Sequence, residues 1–102
     1  MIRHLFVGTA RAGVTAEQLD ELIRRWRALP AQIEEIQSMT AGRNISPRDQ
    51  TFTVALVADF ANMETWERYM DHPAHLAISQ QLTPLLIQHD SRAAVEFFVE
   101  DK

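Results

Sequence analysis

Residues 51–60 read Thr-Phe-Thr-Val-Ala-Leu-Val-Ala-Asp-Phe, a β-prone run that is apolar on both of its sides. A pleated strand sends successive side chains to opposite faces. Phe52, Val54, Leu56, Ala58 and Phe60 share one face, while Ala55 and Val57 fall on the other. Residues 92–99 repeat the pattern, with Val95, Phe97 and Val99 set against Ala94 and Phe98. An antiparallel sheet with one face in water alternates apolar and polar residues instead. These strands therefore predict a sheet that must be covered twice. Helices of the same chain can cover one face, but a 102-residue chain has little left to cover the second. Packing that face on a copy of itself across a two-fold axis removes the exposed apolar surface, so the expected partner is a second identical chain on the helix-free face. The competing view is that Ala55 and Val57 are strand-propensity choices on a wet surface and the chain stays monomeric.

Periodicity divides the rest of the chain. Residues 2–8 form a first strand. Thr15 opens a helix, and Gln18 three residues later completes a capping box. Leu19, Leu22, Ile23, Trp26 and Leu29 make one apolar stripe, which Pro30 ends, with a helical turn predicted from Ile33 to Ile36. Residues 37–45 form a second strand and Ser46-Pro47-Arg48-Asp49 a turn. After the third strand, Asn62 caps a helix expected to carry Met63, Trp66 and Met70 inward. Asp71-His72-Pro73 breaks it, and Pro73 suits the first turn of a third helix with Ile78, Leu82, Leu85 and Leu86 on its apolar face. Pro84 inside that pattern predicts a kink or an early end. Residues 92–99 close the chain as a fourth strand. The order β-α-β-β-α-α-β is the split βαβ pattern: an α+β, ferredoxin-like sandwich with a four-stranded antiparallel sheet, one domain over residues 1–102, pairing into a dimeric α/β barrel.

Charge narrows the function classes. The net charge is −4 and the basic residues are scattered. Their one cluster, Arg24, Arg25 and Arg27, follows Glu17, Asp20 and Glu21 on the same helix, which makes a solvated ion-paired face rather than a phosphate-binding strip. Nucleic acid is not an expected partner. There is no cysteine, hence no disulfide or thiolate chemistry. Residues 1–7 lack a signal-peptide pattern, and no apolar run approaches the roughly 20 residues needed to span a bilayer. The expectation is a cytoplasmic protein with no membrane partner.

Several short stretches carry a likeness: Met1-Ile2-Arg3-His4, Gly13-Val14-Thr15, Leu29-Pro30, Gly42-Arg43-Asn44, and above all His72-Pro73-Ala74-His75 preceded by Tyr69. In that order and spacing the chain resembles the stress-responsive A/B barrel, or Dabb, family over nearly its whole length. The resemblance implies a dimeric α+β barrel. It also implies a choice of roles, since bacterial members have no established activity and some plant members are polyketide cyclases or boiling-stable stress proteins. His4, Tyr69 and His75 match the cyclase-like members. Trp26 matches their pocket aromatic. Val54 stands where those members carry a histidine, a departure that bears on the specific cyclase chemistry.

An aldol closure needs a base for the carbon acid beside a carbonyl and a donor for the enolate oxygen. A neutral imidazole can be the base near pH 7, and a phenol can steady the oxyanion. His75 is accordingly the candidate base, Tyr69 its partner and His4 a polar pocket group, with Phe6, Trp26, Val54, Leu56 and His72 as candidate binding residues around a small apolar carbonyl compound. His4 shares a strand face with Ile2 and Phe6, assigned to the helix side. Each candidate also has a structural reading: His75 and His4 as hydrogen-bonded core histidines, His72 as a helix cap, Tyr69 as a half-buried aromatic. If all of these hold, the chain is a non-catalytic stress-response dimer with Trp26, Leu22, Phe6 and Leu86 filling the space beside His75. No metal and no cofactor are expected. His72 and His75 straddle a proline instead of standing four apart on one helix, and the aromatics fall at core spacing.

Overall fold

A computed structural model describes residues 1–100 of the chain. Four strands, β1 (Ile2–Ala10), β2 (Ser38–Arg43), β3 (Val54–Phe60) and β4 (Ile87–Phe98), form one antiparallel sheet in the order β2-β3-β1-β4. Helix α1 (Ala16–Ala28) follows β1, and α2 (Met63–Asp71), α3 (Pro73–Gln81) and α4 (Thr83–Leu86) link β3 to β4. This is the expected α+β ferredoxin-like order, with the third helix divided. Leu82 ends α3, and Pro84 stands in the first turn of α4, where a missing N–H costs nothing.

Directly paired residues share a sheet face. The rows Ile2–Phe60–Phe98, His4–Ala58–Glu96, Phe6–Leu56–Ala94 and Gly8–Val54–Arg92 therefore face the helices. In β1 and β3 this face carries the buried Ile2, His4, Val54, Leu56, Ala58 and Phe60. Against it lies the α1 stripe of Leu19, Leu22, Ile23 and Trp26, all buried. Thr15 holds the start of α1: its side chain accepts from the Gln18 amide while the Gln18 side chain accepts from the Thr15 amide, the capping box read from the sequence.

The structure corrects several boundaries. Ile33 to Ile36 is not helical. A single 3-10 turn at Leu29–Ala31 takes the chain past Pro30, and Ile33 and Ile36 are buried by the loop after it. Strand β2 is shorter than residues 37–45. Strand β3 begins at Val54, because residues 51–53 are held in a turn-rich loop in which Asn44 donates to the Phe52 carbonyl. Met63 is 40% exposed, and Tyr69, at 1%, is the residue of α2 that enters the core. Leu85 is 68% exposed, because α4 is a new helix whose inward positions are Thr83 and Leu86. Strand β4 starts at Ile87, five residues before the expected 92, and ends at Phe98. Its register passes from Gly8↔Arg92 to Ala10↔Ile87, so four residues of β4 bulge opposite the single Thr9. Ile87 lies over Gly8 so closely that a Cβ there would be 2.6 Å from the Ile87 methyl, which only glycine permits.

Candidate functional site

The break between α2 and α3 assembles the site. His72 is extended, as a residue before proline prefers. Its backbone N–H donates to the Tyr69 carbonyl, and its Nδ1 accepts from the Ala74 amide at 3.0 Å. The reversal brings the last turn of α2 against the first turn of α3, so that the rings of Tyr69 and His75 lie 4.4 Å apart. Tyr69 is also held by Phe60, at 4.9 Å, and faces His4 of β1 at 6.0 Å.

A cavity of about 420 Å³ opens beside these three side chains, with His4, Tyr69 and His75 all in its wall. That volume suits a small organic ligand. Phe6, Trp26 and Leu56 add apolar wall, with Trp26 set edge-on to Phe6 at 5.7 Å. Met70, Leu76, Ser79, Thr83 and Ala94 complete most of it, and the exposed Arg92 stands at its rim. Two of the candidate binding residues are placed elsewhere. The His72 ring is used by the helix cap, and Val54, buried one row beyond Leu56, does not line this cavity.

Hydrogen bonding defines what the two flanking histidines offer. The Nδ1 of His75 lies 3.0 Å from the Met70 carbonyl oxygen. A carbonyl only accepts, so Nδ1 carries the proton, and in the neutral ring Nε2 keeps its lone pair. Burial, with a smaller contribution from the neighbouring His4, holds His75 below the ordinary histidine range, opposed in part by the Met70 carbonyl. The Nδ1 of His4 donates to the Glu96 carboxylate at 2.7 Å, which fixes the His4 ring from across the β1–β4 pair. Burial raises the Tyr69 phenol well above its usual value, so its O–H remains a donor at any physiological pH. Neither His75 Nε2 nor the Tyr69 hydroxyl meets a partner among the described residues. Trp66 lies 6.4 Å from the His4 ring, and its buried Nε1–H is likewise without an acceptor.

Glu96, Arg92, Ser79 and Thr83 are site residues that sequence reasoning missed. Glu96 could be found only from the pairing of β1 with β4, which puts it opposite His4. Among the described residues no three or more His, Cys, Asp or Glu side chains converge as a metal site would need. No helix of the described residues is long and apolar enough to cross a membrane.

The comparisons with known proteins bear on the family and the fold. An uncharacterized protein of Streptomyces coelicolor is 33% identical over 79 residues, covering 76% of this chain and 81% of that protein. The stress-response A/B barrel domain-containing protein HS1 of Arabidopsis thaliana is 27% identical over 77 residues, covering 74% of this chain and 71% of its own length. A dimeric ferredoxin-like protein of unknown function from Thermobifida fusca superposes with a TM-score of 0.82 at 30% identity, covering 96% of this chain and 90% of that one. The family model of the stress-responsive A/B barrel domain matches residues 2–99. With a match of that extent, the chain belongs to the stress-responsive A/B barrel, or Dabb, family.

Proposed function

We propose that this chain forms a homodimer whose subunits each bind a small apolar carbonyl compound between helices and sheet and move a proton on it. His75 Nε2 takes the proton from the carbon beside the carbonyl. The C–H electron pair becomes the enolate double bond, and the Tyr69 O–H donates to the oxygen as charge develops there. Return of the proton from His75 to another carbon isomerises the substrate, whereas attack of the enolate carbon on a second carbonyl closes a ring, the carbonyl pair moving to its oxygen, which takes the proton back from His75. The observation that carries this reading is the pair of unpartnered groups, Nε2 and the phenol, beside one cavity. A non-catalytic dimer would instead fill the space beside His75.

The dimer half of the reading rests on the other sheet face. Leu5, Val7, Ala55, Val57, Val95 and Phe97 lie there with no helix over them, and Val95 and Phe97 are 49% and 43% exposed. The one charged pair on this face is internally satisfied. Arg3 donates to both oxygens of Asp59, at 2.8 and 3.0 Å, and Ser38 donates to Asp59 at 3.0 Å. A second copy of the chain covers such a surface without stranding a charge. The relative from Thermobifida fusca is described as dimeric.

Deuterium exchange at the α-carbons of 4-phenylbutan-2-one in D2O, followed by proton NMR, tests the chemistry. The native protein is expected to accelerate exchange, and His75→Gln to lose roughly 10²–10⁴-fold, the usual worth of a general base, with the circular dichroism spectrum unchanged. Exchange no faster than in buffer, or a His75→Gln variant as fast as the native protein, contradicts the proposal.

A further inference from the structure

We infer that the substrate is amphiphilic, an oxo-carboxylate whose anionic end is held by Arg92 at the cavity rim while its carbonyl reaches Tyr69 and His75; this rests on the reading above and adds the class of substrate. The wall is apolar along its length, with Phe6, Trp26, Leu56, Met70 and Leu76. Arg92 is the one lining side chain with a permanent charge. It also differs from every other arginine except Arg48, which stands exposed on the loop between β2 and β3 and does not line the cavity. Arg3, Arg24, Arg25, Arg43 and Arg68 pair with carboxylates, and Arg11 and Arg27 bond to backbone carbonyls. Among the described residues Arg92 contacts only His89 Nδ1, at 3.3 Å. A guanidinium without a carboxylate, above an apolar chamber in a chain of net charge −4, is a complement to an anion that the protein does not itself supply. Its row, Gly8–Val54–Arg92, faces the helices, so covering the opposite sheet face leaves it free.

Position sets the length of the ligand. Arg92 and Glu96 are four residues apart on β4, and Glu96 holds His4 beside Tyr69. At about 3.4 Å per residue the two levels are separated by roughly 14 Å, and the reach of the arginine side chain shortens the carboxylate-to-carbonyl spacing to roughly 8–10 Å. A 9-oxo acid spans that distance and a 4-oxo acid does not.

Binding measured by calorimetry, with 9-oxodecanoate against its neutral isostere 9-oxodecanamide, tests the assignment. The native protein is expected to bind the acid about tenfold tighter at low salt, a preference that shrinks as salt is raised. Arg92→Gln is expected to abolish the preference by weakening the acid far more than the amide, Arg92→Lys to restore part of it, and 4-oxopentanoate to bind no better than its amide. Equal binding of the long acid and amide by the native protein, or a preference that survives Arg92→Gln, overturns the anion subsite and leaves the proton-transfer reading standing. Failure of both long ligands to bind overturns the subsite and the cavity reading together.

Discussion

Val57→Asp is expected to turn a dimer of 11.7 kDa chains into a monomer. Val57 lies in the row Thr40–Val57–Leu5–Val95, across the middle of the open sheet face. Its side chain points away from the helices, so the substitution leaves the core packing alone. On the surface of a monomer an aspartate there is solvated and costs little. In a two-fold interface it occurs twice, and each carboxylate gives up water without gaining a partner, because Arg3 on the same face is already committed to Asp59. With desolvation costing about 2–3 kcal/mol per unpaired group after relaxation, two copies weaken association by roughly 10³–10⁴-fold. Sedimentation equilibrium at micromolar concentration reads the change directly. A native chain that already sediments at 11.7 kDa, or a Val57→Asp chain that still sediments at twice that mass, contradicts the covered-face account.

Phe60→Ala is expected to lower the unfolding free energy by about 3–5 kcal/mol. Phe60 is fully buried at the end of β3, paired with Ile2 and packed on the Tyr69 ring. Removing it leaves a void between the sheet and α2 that the rigid strand cannot close. The loss is a large share of the 5–15 kcal/mol typical of a domain. Catalysis is expected to fall with it, since Tyr69 loses one of the rings that hold it. Phe60→Leu, which restores most of the volume, should recover most of the stability. Leu85→Ala, at a residue 68% exposed, should stay within about 0.5 kcal/mol of the native value. Urea unfolding of these variants checks the ordering, and a Phe60→Ala loss below 1 kcal/mol would show that the core is not organised around this contact.

The parts of the fold legible in the sequence are those set by local chemistry. Thr15 and Gln18 announce the start of α1 because a capping box is complete within four residues. The apolar alternation of β3 marks a strand, and its register leaves Ala55 and Val57 on the helix-free face. The features that escaped reading depend on contacts distant in sequence. The first part of β4, Ile87-Gln88-His89-Asp90-Ser91, is too polar to look like a strand, and within it only Ile87 is paired, opposite Ala10, with its side chain over Gly8. Met63, Trp66 and Met70 predict the inward face of α2, and Trp66 and Met70 do pack on the core, but Tyr69 beside Phe60 is its fully buried residue while Met63 is exposed.

The site divides in the same way. His4, Tyr69 and His75 line one cavity, the last two because the His-Pro break lies between them and brings them together. His72 was included because of its place in the same stretch, but its ring serves the backbone of α3. Val54 enters through the resemblance, as the position where cyclase-like members carry a histidine, and it is Leu56 rather than Val54 that β3 contributes to the cavity wall. Glu96 and Arg92 had no local signal at all. Glu96 is 92 residues from the histidine it holds, and both enter the site only through the register of β4.

The proposed chemistry requires His75 to meet its substrate as a neutral ring with the proton on Nδ1. Protonation opposes burial, so the folded protein binds this proton more weakly than the unfolded chain, and the associated stability is lost as pH falls below the ordinary histidine value of about 6.5. Long-range nitrogen–proton correlation NMR on 15N-histidine-labelled protein observes the ring directly. The expected result is a Nδ1–H tautomer with an unprotonated Nε2 at pH 7, persisting as the pH drops through 6.5 and titrating below it, in step with the α-proton exchange rate. A ring protonated on Nε2, or an imidazolium at pH 7, would leave no base beside the cavity and would contradict the proposed chemistry.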